Sequence, residues 1–180
     1  MSFFETYKAK ISKELQKELA VKNRLAVPRM LKIVVNAGIG KYLAGGEKKD
    51  SPKVVDAMKL ITGQSPIVNK SRVSISNFKL KAGATVGVSA TLRGKRMYDF
   101  FERVVTYVAP RIRDFRGFPG KSFDGRGNYS FGIKEHTVFP EISQDDVVRP
   151  FGLQITIATN TKTDADARKL LEKFNFPFSK

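Results

Sequence analysis

Few residues in this chain are equipped for catalysis. His136 is the only histidine and there is no cysteine, which excludes thiol catalysis, zinc fingers and any multi-histidine metal site. His136 beside Glu135 leaves room for one general base, although a single histidine is more often structural. Asp114 and Asp124 form a candidate carboxylate pair for metal-assisted nucleic-acid cleavage. Both stand among arginines, which more commonly pair with such acids to shape a loop. Gly38-Ile39-Gly40-Lys41 invites comparison with a phosphate loop. However, Val35 occupies that motif's first glycine position, Tyr42 its Ser/Thr position, and Leu43 breaks the dinucleotide fingerprint. Gly117-Phe118-Pro119-Gly120 matches a GxxG loop but lacks the helix expected on each side. Arg126-Gly127-Asn128 opens like an RNA-binding motif and lacks the aromatic that should follow. These residues predict no enzyme, no metal and no cofactor.

The chain is instead rich in cations. Lys plus Arg number 33 against 17 Asp plus Glu, a formal net charge of +16 in 180 residues. The sequence pI is about 10.1. Charge of this size constrains partners rather than fold and admits nucleic acid, an anionic membrane or an acidic protein. The cations are spread over loops as well as helices, which suits a protein wrapped by RNA better than one with a single basic membrane-surface helix. Pro110–Gly132 concentrates the pattern, with five glycines, five basic residues and five aromatics. Arginine forks match phosphate oxygens and aromatic rings can stack on unpaired bases. For the phenylalanines alone, anchoring to the core is the more ordinary role. The N-terminus is charged too early for a signal peptide, no apolar run reaches ~18 residues, and cysteine is absent. The expectation is a cytoplasmic protein of one domain over 1–180, with no membrane partner.

The elements that position these residues follow from spacing. Ser2 and Glu5 read as a capping box. Phe4, Tyr7, Ile11, Leu15 and Leu19 then predict a helix that ends before Val27-Pro28. Leu31, Ile33, Val35, Ala37 and Ile39 alternate with Lys32, Val34, Asn36, Gly38 and Gly40, a half-buried strand whose open face carries an amide and glycines. A second helix starts at Ser51-Pro52, buries Val54, Val55, Met58 and Ile61, and stops at Gly63. Gln64 to Asn69 follows as a short strand. Lys70 to Gly83 has four basic residues and no acid, and predicts a protruding basic hairpin or loop. Thr85 to Arg93 alternates again: Val86, Val88, Ala90 and Leu92 inward, Thr85, Gly87, Ser89, Thr91 and Arg93 outward. Hydroxyls on such a face suit ribose and phosphate, since they donate and accept. A third helix carries Met97, Phe101, Val104 and Val108 and stops at Pro110, followed by a long loop over 110–128. Asn128–Ile133 and Thr137–Phe139 supply short strands. Leu153, Ile155 and Ile157 face inward on the last strand, and Thr163 caps a final helix on Ala167, Leu170, Leu171 and Phe174. Alternating strands with amphipathic helices predict a two-layer α+β domain, a largely antiparallel sheet with helices on one face and an open face for RNA.

Several long motifs carry a resemblance. Thr91-Leu92-Arg93-Gly94-Lys95-Arg96-Met97, Pro110-Arg111-Ile112-Arg113-Asp114-Phe115-Arg116-Gly117, Ser122-Phe123-Asp124-Gly125-Arg126-Gly127-Asn128-Tyr129-Ser130 and Phe139-Pro140-Glu141-Ile142 resemble the large-subunit ribosomal protein five family. The segment Ile61 to Arg72 is similar to the family signature, except that Asn69 stands where Ser or Thr is usual. The likeness runs through the whole chain and favours the bacterial or organellar form. It implies a non-catalytic protein of the central protuberance that holds 5S rRNA on its open sheet face. The implied 5S rRNA contacts are Asn36, Gln64 and Thr91, with Lys32, Gly38, Ser89 and Arg93 on the same strands. The resemblance further implies contact with P-site tRNA through Arg72, Ser74, Lys79 and Lys81. It implies an intersubunit bridge through Arg111, Arg113, Arg116 and Lys121 to small-subunit head protein thirteen. The other implied partners are 23S-type rRNA and neighbouring large-subunit proteins.

Overall fold

The computed structural model describes residues 2–40, 51–78, 80–143 and 150–179, apart from the side chains of Ser51, Pro52 and Phe78. Helix α1 begins as an α-helical turn over Phe3–Thr6, passes through a π turn over Tyr7–Ile11 and continues as α-helix over Ser12–Glu18. The capping box forms: Ser2 Oγ accepts from the Glu5 N–H, and the Glu5 carboxylate accepts from the Ser2 N–H. The remaining elements are β1 (Met30–Gly38), α2 (Ser51–Thr62), β2 (Ile67–Lys70), β3 (Thr85–Leu92), α3 (Gly94–Arg103), β4 (Tyr129–Ile133), β5 (Leu153–Thr159) and α4 (Asp164–Lys173). The strands make an open antiparallel sheet in the order β2-β3-β1-β5-β4, which with the four helices gives an α+β fold.

The chain divides into two compact units: Met1–Ile33, Leu92–Phe131 and Thr156–Lys180 in the first, Val34–Thr91 and Gly132–Ile155 in the second. The first is built on aromatic rings. Phe101 stacks on Phe176 at 5.8 Å and also meets Phe174 edge-on at 5.6 Å. Phe118 lies 5.1 Å from Phe176 and 4.4 Å from Phe131. Tyr98, absent from the expected helical stripe, is buried in this cluster beside Phe4, Tyr7 and Phe174. α4 is capped as its sequence indicates, Thr163 Oγ1 accepting from the Asp166 N–H, and buries Ala167, Leu170 and Leu171. In the second unit α2 buries Val54, Met58 and Ile61, β1 buries Val35 and Ala37, and β3 buries Val88 and Ala90. α2 stops at Gly63 with φ +66, a left-handed position that favours glycine.

α1 ends before Val27-Pro28, as its sequence indicates, closing at Glu18 ahead of Ala20, which takes φ 50 and turns the chain out of the helix. Three expectations are corrected. Leu31 is exposed and Met30 buried, so the alternation slips at the start of β1. The slip falls beside Arg29, whose N–H and carbonyl both bond to Asn160. Gly87 keeps the outward phase of β3 but is buried rather than exposed. A Cβ there would meet the Ala37 carbonyl at 3.0 Å, so the missing side chain lets β1 and β3 approach. Thr137–Phe139 is not a strand: His136–Val138 forms a 3-10 turn, because the His136 N–H and Nδ1 are both engaged by the Phe151 backbone.

Candidate nucleic-acid interface

In the second unit, alternation on β1 leaves Val34 and Asn36 half-buried and Gly38 exposed, while Ala37 and Val35 point the other way. Among the described residues nothing lies within 4 Å of where a Gly38 Cβ would stand, so none of them crowds that position. On β3, Ser89 is half-buried and Thr91 exposed. β2 pairs antiparallel with β3, Ile67 opposite Ser89 and Asn69 opposite Gly87, which puts Ile67 and Asn69 on the face of Ser89 and Thr91. Asn69 Nδ2 donates to Ser89 Oγ at 3.1 Å. Gln64 Nε2 donates to the Thr91 carbonyl at 3.2 Å, which braces the exit of α2 against β3. The outcome is a shallow surface of amides, hydroxyls and open backbone. Each hydroxyl can donate and accept, and Ile67 is the one large exposed apolar side chain among the described residues of this face. Lys32 and Arg93 belong to the first unit; Lys32 is half-buried and Arg93 exposed.

The basic hairpin is present. The Ser71 N–H donates to Ala84, the Gly83 N–H returns to Ser71, and Ile75 and Leu80 exchange backbone bonds of 2.9 and 3.1 Å around a turn at Ser76–Phe78. Ser74 Oγ accepts from the Ala82 N–H, which leaves its proton available to a partner. Arg72, Ser74 and Lys81 are exposed; Lys79 lies outside the described residues.

The segment after α3, expected as an unstructured loop, is tied down at three points. Phe118 bridges Phe178, with the Phe118 N–H donating to Pro177 and the Ser179 N–H to Phe118, both at 2.8 Å. Phe123 bridges Tyr129 and its ring lies 4.7 Å from that tyrosine. Phe115 packs edge-on against Phe118 at 5.0 Å. The phenylalanines are therefore anchors, and the cations between them, Arg111, Arg113, Arg116, Lys121 and Arg126, are exposed. The third tie is at the Asp124–Asn128 turn. The Asp164 carboxylate accepts from the Gly125 and Gly127 N–H groups at 3.1 and 2.9 Å. Asp124 accepts from the Asn128 side chain and from the Arg126 and Asn128 N–H groups. Those bonds, the Asn128 amide first, hold its carboxyl below the usual carboxylate range.

Asp124 thus shapes a loop, and among the described residues no three His, Asp or Glu side chains could hold a metal ion. His136 is buried and stacked 3.8 Å from Phe151, Nδ1 accepting from that residue's N–H, and burial pushes its pKa down. This is the geometry of a structural histidine. No helix among the described residues is long and apolar enough to cross a membrane. Residue-type reasoning missed Asn69 and Ile67 as members of the sheet face; their spacing of two, opposite Ser89, is the signal that places them there.

Two family models match the chain: one described as Ribosomal protein L5 over residues 23–81, the other as the C-terminus of the same ribosomal family over residues 85–178. Three curated relatives bear the name large ribosomal subunit protein uL5. That of Natranaerobius thermophilus is 46% identical over 179 residues, spanning 97% of this chain and 97% of its own. That of Mesoplasma florum is 48% identical across 97% of this chain and 96% of its own. That of Thermosipho melanesiensis is 49% identical across 98% and 96%.

Proposed function

The chain belongs to the ribosomal protein L5 family, and from that membership we propose that it holds 5S rRNA on the open sheet face of its second unit. The family is structural and non-enzymatic, and its members are constituents of the large ribosomal subunit acting in translation. The observation that carries the finer reading is the face itself: Asn36, Ser89 and Thr91 with Gly38 between them, hydrogen-bonding groups beside backbone open enough for close approach. Gln64, which also bonds the Thr91 carbonyl, would contact the RNA beside Thr91, and Lys32 and Arg93 of the first unit would contact phosphate. Phosphate contacts supply affinity, whereas hydroxyl and amide contacts supply discrimination.

Two further surfaces complete the reading. The hairpin would meet P-site tRNA through Arg72, Ser74, Lys79 and Lys81. Arg111, Arg113, Arg116 and Lys121, exposed on the segment that Phe118 anchors, would bridge to protein thirteen of the small-subunit head. The remaining contacts, with 23S-type rRNA and neighbouring proteins of the central protuberance, would fall to the other exposed cations.

The test is binding of the purified protein to 5S rRNA across a salt series with tRNA as competitor. Tight binding that tRNA displaces poorly is expected, with affinity falling roughly 10³–10⁵-fold from 50 to 200 mM salt if ~6–10 phosphates are contacted. Asn36→Ala with Thr91→Ala should cripple the 5S complex while the fold survives; unchanged affinity would remove the site assignment. Equal competition by tRNA would reduce the interaction to charge alone.

A further inference from the structure

Ile67 is the anomaly of the sheet face. It is 70% exposed, a large β-branched apolar side chain on an edge strand, among neighbours that are amide, hydroxyl or glycine. Its register partner is Ser89, and Asn69, two residues on, bonds to that same Ser89. The opposite side of β2 and β3 is where Val68 meets the fully buried Val88, so Ile67 is not a core residue displaced by a slip. A single exposed apolar side chain is ordinary on most surfaces. Here it stands at the β2 edge of the polar face assigned to RNA, opposite Ser89.

We infer that Ile67 is an apolar contact for the bound RNA, the surface on which one nucleobase or ribose of the 5S rRNA is seated. The inference rests on the proposed 5S rRNA function and adds to it a contact of a different physical kind. Charge decides the occupant. Along the second unit's own segment 57–91, which carries Ile67, there is no acidic residue, while Lys59, Lys70, Arg72, Lys79 and Lys81 fall there. A hydrophobic protein partner gains nothing from these cations, whereas RNA brings neutralising phosphates and an apolar base or sugar surface together. The amide of Asn69 and the hydroxyl of Ser89, already bonded to each other, stand beside Ile67 to meet the polar edge of whatever covers it.

The division of labour is measurable because apolar and phosphate contacts differ in salt response. Removing a phosphate contact lowers the slope of log affinity against log salt, and removing an apolar contact does not. The experiment compares wild type, Ile67→Ala, Ile67→Thr, Ile67→Val and Lys32→Ala for 5S rRNA binding from 50 to 200 mM salt. Threonine keeps the β-branch and strand propensity but loses the apolar surface, so it controls for folding. Ile67→Ala and Ile67→Thr should bind about fifteen- to sixty-fold more weakly at every salt concentration with the wild-type slope, the range expected for uncovering two to three methyl or methylene groups. Ile67→Val should lose about four-fold, and Lys32→Ala should flatten the slope. Ile67→Ala and Ile67→Thr both binding within about two-fold of wild type, or weakened binding with a flattened slope, would overturn the assignment. If wild type itself shows no preference for 5S rRNA over tRNA, the functional reading falls, and this contact falls with it.

Discussion

Replacing Phe118 by alanine should unfasten the long basic loop and cost the protein much of its stability. Phe118 is 4% exposed and touches three other rings, Phe115 at 5.0 Å, Phe131 at 4.4 Å and Phe176 at 5.1 Å. Truncating a core phenylalanine costs about 3–5 kcal/mol. The backbone on both sides stays bonded to Pro177 and Ser179, so the surroundings are hindered from collapsing into the cavity. That argues for the middle of the range or above, about 4 kcal/mol, against a total of roughly 5–15 kcal/mol for a folded protein. With a urea dependence of roughly 2 kcal/mol/M, the midpoint should fall by about 2 M. The assay is urea unfolding followed by near-ultraviolet circular dichroism, which reports the ring cluster itself. In parallel, trypsin below the midpoint should cut sooner at Arg113 and Arg116. A midpoint within about 0.5 M of wild type, with unchanged cleavage, would show that the loop is not held by its phenylalanines.

Two other outcomes are expected. Gly127 takes φ +77, and a Cβ there would overlap Thr161 Oγ1, so Gly127→Ala combines left-handed strain of roughly 1–2 kcal/mol with a clash; thermal unfolding should register a loss of at least about 2 kcal/mol, and an unchanged Tm would contradict the geometry. His136 is held neutral by burial, so in the window between its depressed folded pKa and the unfolded value of ~6.5 the unfolded chain binds more protons. Stability from this group is present above pH ~6.5 and is lost as pH falls through the folded pKa; urea midpoints of wild type and His136→Phe should therefore converge or cross as pH drops from 7.5 to 5, and parallel curves would sink the assignment.

Much of this architecture is legible in the chain because its signals are local. The Ser2–Glu5 box, the Thr163 cap and the stop at Gly63 each involve residues within one helical turn, and all three form. The open-face positions Asn36, Ser89 and Thr91 follow from a period of two that burial on the opposite face enforces. What the chain conceals is non-local. Phe118 reads as a possible stacking residue until its partners, Phe176 and Phe178 at the far end of the sequence, come into view. The turn at His136–Val138 depends on Phe151, and the slip at Met30 coincides with bonds to Asn160. In each case the deciding atom lies on another segment, and local alternation or composition gives the wrong or an incomplete assignment.

The same contrast bears on function. Aromatics in a basic loop look like base-stacking residues, yet here Phe118 is buried in the core, and the half-buried Phe115 and Phe123 pack on Phe118 and Tyr129 while the cations are exposed. The phenylalanines therefore give the loop a fixed shape from which Arg111, Arg113, Arg116, Lys121 and Arg126 project. A cation held on a fixed backbone loses less conformational entropy on meeting its partner than one on a flexible tether. The sheet face is arranged the other way: few cations, many small hydrogen-bonding groups and one exposed isoleucine, on strands whose positions are set by pairing. Such a surface depends on close fit, so variants of its amides, hydroxyls and isoleucine should alter which RNA is bound, whereas variants of the cations, Lys32 and those of the loop alike, should alter how binding responds to salt.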